Sequence, residues 1–304
     1  MAKKHIKIKF LNFWAGFNPA DNYFYNLLKE YYDLELTDEP DYLIYTMLHK
    51  YPPIGPFKFW NRGYRQYKCI RIYYTGENAR PNFNECDYAF TFDFNDNPNH
   101  YRLPIYFDRV KPEQLIKKDV DYERVFDEKT KFCNFVYSNW RAMKRYSFFK
   151  KLSKYKKVDS GGRFKNNLGY IVQDKMAFLK DYKFTIAFEN ESYPGYTTEK
   201  IVQPMAAYSL PIYWGNPLVC RDFNTKSFLN YYDFKNENEL IERIIELDNN
   251  KDLYIKYLKE PYFHNNEIND YMNPQKLLKQ FDYIFNNDKE PVALKGKKTI
   301  FIKS

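Results

Sequence analysis

The densest run of reactive side chains lies between Phe184 and Pro217, FTIAFENESYPGYTTEKIVQPMAAYSLPIYWGNP. Its pattern is strand, polar loop, helix, strand, turn. The loop offers Glu189, Asn190, Tyr196, Glu199 and Lys200 beside Gly195. Thr197 or Thr198 can cap the helix that starts here. A helix start presents free N–H groups and the positive end of its dipole, so it favours a diphosphate. Lys200 adds a full positive charge. Glu199 would repel phosphate and instead suits sugar hydroxyls, which donate to a carboxylate. On spacing alone, an ordinary capped helix with a surface Glu–Lys pair is an equally good reading.

Other chemistry is less well supported. His5, His49, His100 and His264 show no HExxH-like spacing. Cys69, Cys86, Cys133 and Cys220 form no CxxC pair and are expected as buried thiols. Asp119-Val120-Asp121 has the form of a short metal-binding DxD pattern. The flanking Lys117 and Lys118 favour a solvated, exposed linker instead.

The elements that must position these groups follow from periodicity. Ile6, Ile8 and Phe10 alternate with lysines as in a strand, and 18–32 reads as a helix with Tyr23, Leu27 and Tyr31 at helical spacing. Strands are predicted over 33–36 and 42–47, then a loop from Lys50 to Gly63. Cys69 to Tyr74 is an apolar run with one arginine, which suits a buried parallel strand. It ends in Thr75-Gly76-Glu77-Asn78. Further strands are predicted over 88–92 and 103–107. The charged, aperiodic stretch 111–131 reads as a linker. This places one domain over 1–128 and a second over 129–304. The pattern then restarts with a strand over 132–137, a basic helix over 140–155 and a strand from Val158 that meets Gly161-Gly162. A helix over 176–181 and a strand over 184–188 follow. Pro204 should kink or shorten the next helix, over 198–208. A strand over 210–214 and helices over 237–248 and 274–285 complete the pattern. Two successive α/β halves imply two Rossmann-like domains, with ligands at the C-terminal ends of the strands.

Bulk properties agree. A chain of 304 residues holds about two domains. Hydrophobic residues make up 44%, so it should be globular. No apolar run reaches the roughly 20 residues of a membrane-spanning helix, and Met1 to Phe10 lacks the apolar core of a secretory signal. An intracellular protein is expected. The 48 basic and 39 acidic residues give a net charge of +9, which suits an anionic partner. Nucleic acid, anionic lipid and a nucleotide-sugar diphosphate all fit. No basic block with interleaved aromatics has the form of an RNA-binding signature. Aromatic residues, at 20%, can stack on sugars or bases, although compositional bias explains most of that excess.

The signature stretch resembles that of glycosyltransferase family 10, the α1,3/α1,4-fucosyltransferases, whose members carry a similar FEN, then Y-x-T-E-K, then P-I-Y-W-G run. Tyr74 to Phe83 resembles the family's first-domain motif. Phe135 to Asn139 with Arg145, and Gly161-Gly162, resemble the opening of its nucleotide domain. Asp222-Phe223 and Lys226-Ser227-Phe228 match the segment after the signature. The resemblance implies a GT-B fold, two Rossmann-like α/β domains facing across a cleft, the first binding the acceptor and the second GDP-fucose. It implies inverting transfer of L-fucose from GDP-β-L-fucose to a GlcNAc or Glc hydroxyl of a galactose-containing glycan such as N-acetyllactosamine. Glu77 is implied as the base, with turn capping after Gly76 as the plain alternative. Lys200 and Arg145 are implied to stabilise the leaving diphosphate, and nearby Arg141 and Lys144 leave the second choice open. Asn190 and Tyr196 are implied at the diphosphate or fucose, and Glu199 at ribose or fucose hydroxyls.

No cofactor is expected to be required, and a divalent cation would at most stimulate by screening GDP. The expected partners are GDP-fucose and a glycan acceptor, not nucleic acid. Many bacterial members carry C-terminal heptad repeats before a basic amphipathic tail. No such repeat is visible here, and Lys295 to Ser304 is only a short basic end. The oligomeric state is therefore left open, and contact with the inner membrane is expected to be weak and peripheral at most. Animal members carry an N-terminal membrane anchor that this sequence lacks, so a bacterial, cytoplasmic protein is expected. The competing readings are a GT-B transferase for another nucleotide sugar, a non-catalytic lectin-like module and, more remotely, a basic nucleic-acid-binding protein.

Overall fold

The computed structural model describes residues 2–47 and 63–295. His49, the expected loop from Lys50 up to residue 62, and the tail beyond Lys295 lie outside them. The chain divides into two compact units, Met1–Leu103 with Pro274–Ser304, and Pro104–Asn273.

The first unit is built on six parallel strands: β1 (His5–Leu11), β2 (Asp33–Leu36), β3 (Tyr42–Tyr45), β4 (Ile70–Tyr74), β5 (Tyr88–Thr91) and β6 (His100–Arg102). Their order is β2-β1-β3-β4-β5-β6. All of β4 and β5 is buried, as in parallel sheets covered on both faces. Helix α1 (Tyr23–Leu28) follows β1 and is capped by Asn22, whose side chain accepts from the Tyr25 N–H. It is shorter than the helix expected over 18–32. The order reverses between β1 and β3, so the loop after β1 opens at a topological switch point.

The second unit carries five parallel strands, β7 (Lys131–Phe135), β8 (Val158–Ser160), β9 (Tyr182–Phe188), β10 (Leu210–Trp214) and β11 (Leu229–Asn230), in the order β11-β10-β9-β7-β8. Its helices are α2 (Tyr122–Asp127), α3 (Met143–Leu152), α4 (Lys175–Lys180), α5 (Glu199–Ala206), α6 (Glu237–Asn249) and α7 (Lys251–Lys259). The switch point here lies between β7 and β9. Helix α5 runs through Pro204 and ends two residues later, as a ring that removes one N–H donor allows near a helix end. Sequence periodicity missed α7, which buries Tyr254, Ile255 and Leu258 and is capped by Asn250.

The division differs from the expected boundary at 128/129 at both ends. The last helix, Pro274–Phe285, belongs to the first unit. Phe281 packs on Phe24 and Phe90, Phe285 packs on Tyr32 and Tyr42, and the Tyr32 hydroxyl donates to Asp282 at 3.0 Å. Such distant partners leave no local signal. Residues 104–128 belong to the second unit. The expected strand over 103–107 is instead a 3-10 turn, Ile105–Asp108, entered through Pro104. Tyr106 and Leu115 are fully buried in the second unit's core with Val202 and Phe223. The expected linker also contains α2. Asp121 of the DxD pattern caps that helix, its carboxylate accepting from the Arg124 N–H at 3.1 Å.

Lys117 also departs from the expected exposed run. Its ammonium has no hydrogen-bond partner among the described residues and sits 3.6 Å from the centre of the Tyr262 ring, with Tyr208 and Tyr122 further out. Reciprocal bonds between its backbone and the Asn266 side chain, at 2.8 and 2.9 Å, fix the segment. Burial pushes its pKa down from 10.5 to about 7. The unfolded chain therefore binds a proton that the folded chain resists. The penalty is absent above the unfolded value, grows as pH falls and is complete below the folded one. Lys117→Met should accordingly stabilise the protein by about 1–3 kcal/mol at pH 6, the residual cation–π attraction being smaller than the desolvation cost. Urea unfolding should show that gain shrinking towards pH 10. Equal stability of the two proteins at pH 6 would mean that the ammonium is solvated.

Candidate functional site

The loops after β7 and β9 meet at the second unit's switch point, and five of the six expected site residues lie on them or on the helices they lead into. The β7 loop is locked onto β9 through Tyr137. Its hydroxyl lies 2.7 Å from the Ile186 carbonyl and accepts from the Phe188 N–H at 2.9 Å. Asn134 adds bonds from its side-chain amide to the Phe184 carbonyl and the Thr185 hydroxyl. A side chain at Gly162 would come within 2.0 Å of the Tyr137 carbonyl oxygen, so only glycine lets the two segments close up.

Arg145 projects inward from α3 and is 1% exposed. Its guanidinium lies 4.1 Å from the Tyr137 ring centre and donates through Nη2 to the Asn190 side-chain oxygen. Its Nε has no hydrogen-bond partner, and no carboxylate among the described residues pairs with it. A buried cation without a counter-ion is costly unless an anion arrives. The two nearby candidates are otherwise engaged. Lys144 binds Glu237 at 2.6 Å and the Tyr231 hydroxyl at 2.7 Å. Arg141 is exposed and lies over Trp140. Of the three, Arg145 is the one bonded to the signature loop.

Glu189, the first residue after β9, is fully buried. A Cβ on Gly215 would lie 2.3 Å from its Cγ, so the turn after β10 makes room for it. Its carboxylate accepts from the Thr198 N–H at 2.8 Å and pairs with Lys200 at 3.0 Å. Thr198 caps α5, and its hydroxyl also accepts from the Lys200 ammonium at 2.8 Å. Burial opposes the charge on Lys200, but Glu189 and Glu199 outweigh it and raise its pKa. Burial likewise opposes ionisation of Glu199, and Lys200, Lys175 and Arg109 together hold its pKa below the usual carboxylate value. Glu199 is thus an ionised acceptor at neutral pH. Tyr196 is 2% exposed and lies beside Lys200. Asn216 ties the loop to the turn after β10, accepting from the Gly195 N–H at 2.7 Å and donating to the Thr197 hydroxyl at 3.0 Å.

The sequence pattern pairs Lys200 with neighbouring Glu199 at most, whereas in the structure Glu189 holds it as well. The F-E-N apolar-to-acid step was the available signal, since a carboxylate directly after a buried strand must find a cation. Lys175, at the start of α4, also went unremarked. Its pKa is lowered by burial and by Lys200.

The sixth residue, Glu77, lies in the first unit, three residues beyond β4. It is exposed. Its N–H donates to the Thr75 hydroxyl at 3.1 Å and its carbonyl accepts from the Ala79 N–H at 2.7 Å, so the turn fixes its backbone while the side chain stays accessible.

Known proteins resemble this chain in sequence and fold. A model of glycosyltransferase family 10 (fucosyltransferase), C-terminal part, matches residues 126–260, and one of the alpha-(1,3)-fucosyltransferase FucT N-terminal domain matches residues 8–108. A crystal structure of an alpha1,3-fucosyltransferase with GDP-fucose superposes with a TM-score of 0.76 at 30% identity, covering 95% of this chain and 93% of that one. The chain belongs to glycosyltransferase family 10. Its fold is accordingly α/β of the GT-B class, built from two Rossmann-like units. The alpha-(1,3)-fucosyltransferase FucT of Helicobacter pylori is 37% identical over 259 residues, 72% of this chain and 53% of that protein. A Bos taurus 3-galactosyl-N-acetylglucosaminide 4-alpha-L-fucosyltransferase is 32% identical over 135 residues, 43% of this chain and 36% of its own length. The family 10 chain thus spans about half the length of its curated Helicobacter relative.

The buried pair makes a stability prediction. Lys200→Ala leaves Glu189 buried without its cation and should destabilise the second unit by about 3–5 kcal/mol. Adding Glu189→Gln should restore part of that loss, because a neutral amide tolerates the site. Thermal unfolding of the two variants checks this. A double variant no more stable than Lys200→Ala would show that the two side chains are not coupled.

Proposed function

We propose that this family 10 chain transfers L-fucose from GDP-β-L-fucose to a GlcNAc or Glc hydroxyl of a galactose-containing glycan, with inversion at the anomeric carbon. The observation that carries the reading is Arg145, a buried guanidinium that pairs with no carboxylate among the described residues, at the β7/β9 switch point. A diphosphate supplies the missing anion. The N–H groups of Thr198 and Lys200 at the α5 start are already given to Glu189 and the Thr198 hydroxyl, so Lys200 adds mainly its charge, which Glu189 keeps in place. Ionised Glu199 accepts from ribose or fucose hydroxyls, and Asn190 and Tyr196 are assigned to the diphosphate or fucose. The relatives support the choice of sugar, one by its GDP-fucose complex and another by a name that specifies a galactosyl-N-acetylglucosaminide acceptor.

The chemical step then needs one base. The acceptor oxygen attacks C1 of fucose from the face opposite GDP, and the Glu77 carboxylate takes its proton. The C1–O bond breaks with its electron pair on the β-phosphate oxygen. Arg145 and Lys200 stabilise that charge best where it is greatest. Asp121 is engaged as the α2 cap, so no step is assigned to a metal held by the DxD pattern. A divalent cation would act only by screening GDP.

Incubation with GDP-fucose and N-acetyllactosamine in excess EDTA should give a fucosylated product, with its linkage read by NMR. Turnover only after metal is restored would reverse the cation assignment. Tighter calorimetric binding of UDP or CDP than of GDP would replace the donor. Glu77→Gln should keep GDP binding and lose transfer by about 10²–10⁴ or more, since proton transfer alone contributes that much. Single-turnover rates at saturating donor measure it, and wild-type turnover in this variant would remove Glu77 from the mechanism.

A further inference from the structure

The first unit has its own switch point, between β1 and β3, and none of the residues discussed so far occupies it. The loop that opens there, from Asn12 to Asn18, is NFWAGFN and carries no charged side chain. Asn12 and Gly16 adopt left-handed backbone angles, φ +64° and +82°. Only a few residue types accept that region, so the loop is shaped by two such bends. Phe13 and Phe17 stack on each other at 4.1 Å. Trp14 stands against both, 5.7 Å from Phe13 and edge-on to Phe17 at 5.1 Å, yet is 47% exposed. Phe13 in turn stacks on Tyr74, the last residue of β4, which leads through Thr75 and Gly76 to Glu77.

An indole in contact with two phenyl rings, half open to solvent and joined by stacked rings to the strand that presents Glu77, is a binding surface of definite chemistry. Its neutrality disfavours a nucleotide or a phosphate backbone, both of which need cations. Its size fits one sugar ring, whose C–H face packs on an aromatic face while its hydroxyls remain hydrated. We propose that Trp14 is a stacking platform for a pyranose ring of the neutral glycan acceptor. The proposal rests on the fucosyl-transfer reading for the identity of that glycan.

The test uses the full chain with Trp14→Ala and Trp14→Phe. At saturating GDP-fucose, Trp14→Ala should raise the acceptor KM for N-acetyllactosamine about tenfold, with kcat within about twofold and GDP affinity unchanged, as expected when binding alone is lost. Trp14→Phe should fall between. An unchanged acceptor KM in Trp14→Ala, or a loss of kcat at constant KM, overturns the platform. Saturation-transfer NMR with N-acetyllactosamine and GDP reads binding without turnover. Glycan signals that vanish in Trp14→Ala from a wild type that transfers no fucose would support the platform and sink the transfer reading alone. A wild type that binds no glycan overturns both.

Discussion

The second unit's site depends on one buried ion pair. Glu189 leaves the end of β9 with no exposure at all, and its carboxylate gathers the Thr198 N–H, the Thr198 hydroxyl and the Lys200 ammonium. That cluster sets where α5 begins and fixes the chain between β9 and α5. Gly215 is part of the same constraint, because any side chain there would overlap Glu189. A buried pair is a weak source of net stability, yet removing one member is costly. Its effect is therefore to specify one arrangement of the loop, the one in which Asn190 meets Arg145.

The pair also changes which cation is left for a ligand. Lys200 divides its charge between Glu189 at 3.0 Å and Glu199 at 3.4 Å. Arg145 divides its charge with no carboxylate among the described residues and has an aromatic ring and an amide oxygen for company. The stronger anion attractor is thus Arg145, in a position where low dielectric amplifies its field. Lys200 contributes less free charge but a fixed position, which under the proposed transfer matters as the leaving oxygen gains charge and the site must not reorganise.

Much of this was legible in the sequence. Residues 69–74 read as a buried parallel strand, and 184–188 and 210–214 as strands, because apolar runs of that length have few alternatives, and the polar groups at their ends mark the ligand edge. What failed was information carried by distant partners. Nothing near residue 274 says that Phe281 and Phe285 will pack on Phe24 and Tyr42. The charged stretch around Lys117 hid Leu115, which is a core residue, and Lys117 itself is caged by tyrosines that lie up to 145 positions away. A lysine is expected at the surface because burying its charge is costly, and here aromatic faces offset part of that cost.

The two units share a winding order, with the sheet reversing after the first strand in each, yet the loops at the two reversals carry opposite chemistry. At β7/β9 the chain supplies buried cations and a helix start. At β1/β3 it supplies uncharged aromatic rings on a bent loop. The backbone explains why a ligand can enter at either place, and the loops decide which ligand it is. A nucleoside diphosphate must shed much of its hydration, and only fixed donors of positive charge repay that. A neutral glycan loses little hydration if its hydroxyls stay wet and only a C–H face is covered, and an exposed indole suits that better than any charge. Under the proposed reading, one topology holds a tightly fixed donor and a lightly held acceptor, since the requirements of each are met by a few loop side chains and not by the sheets beneath them.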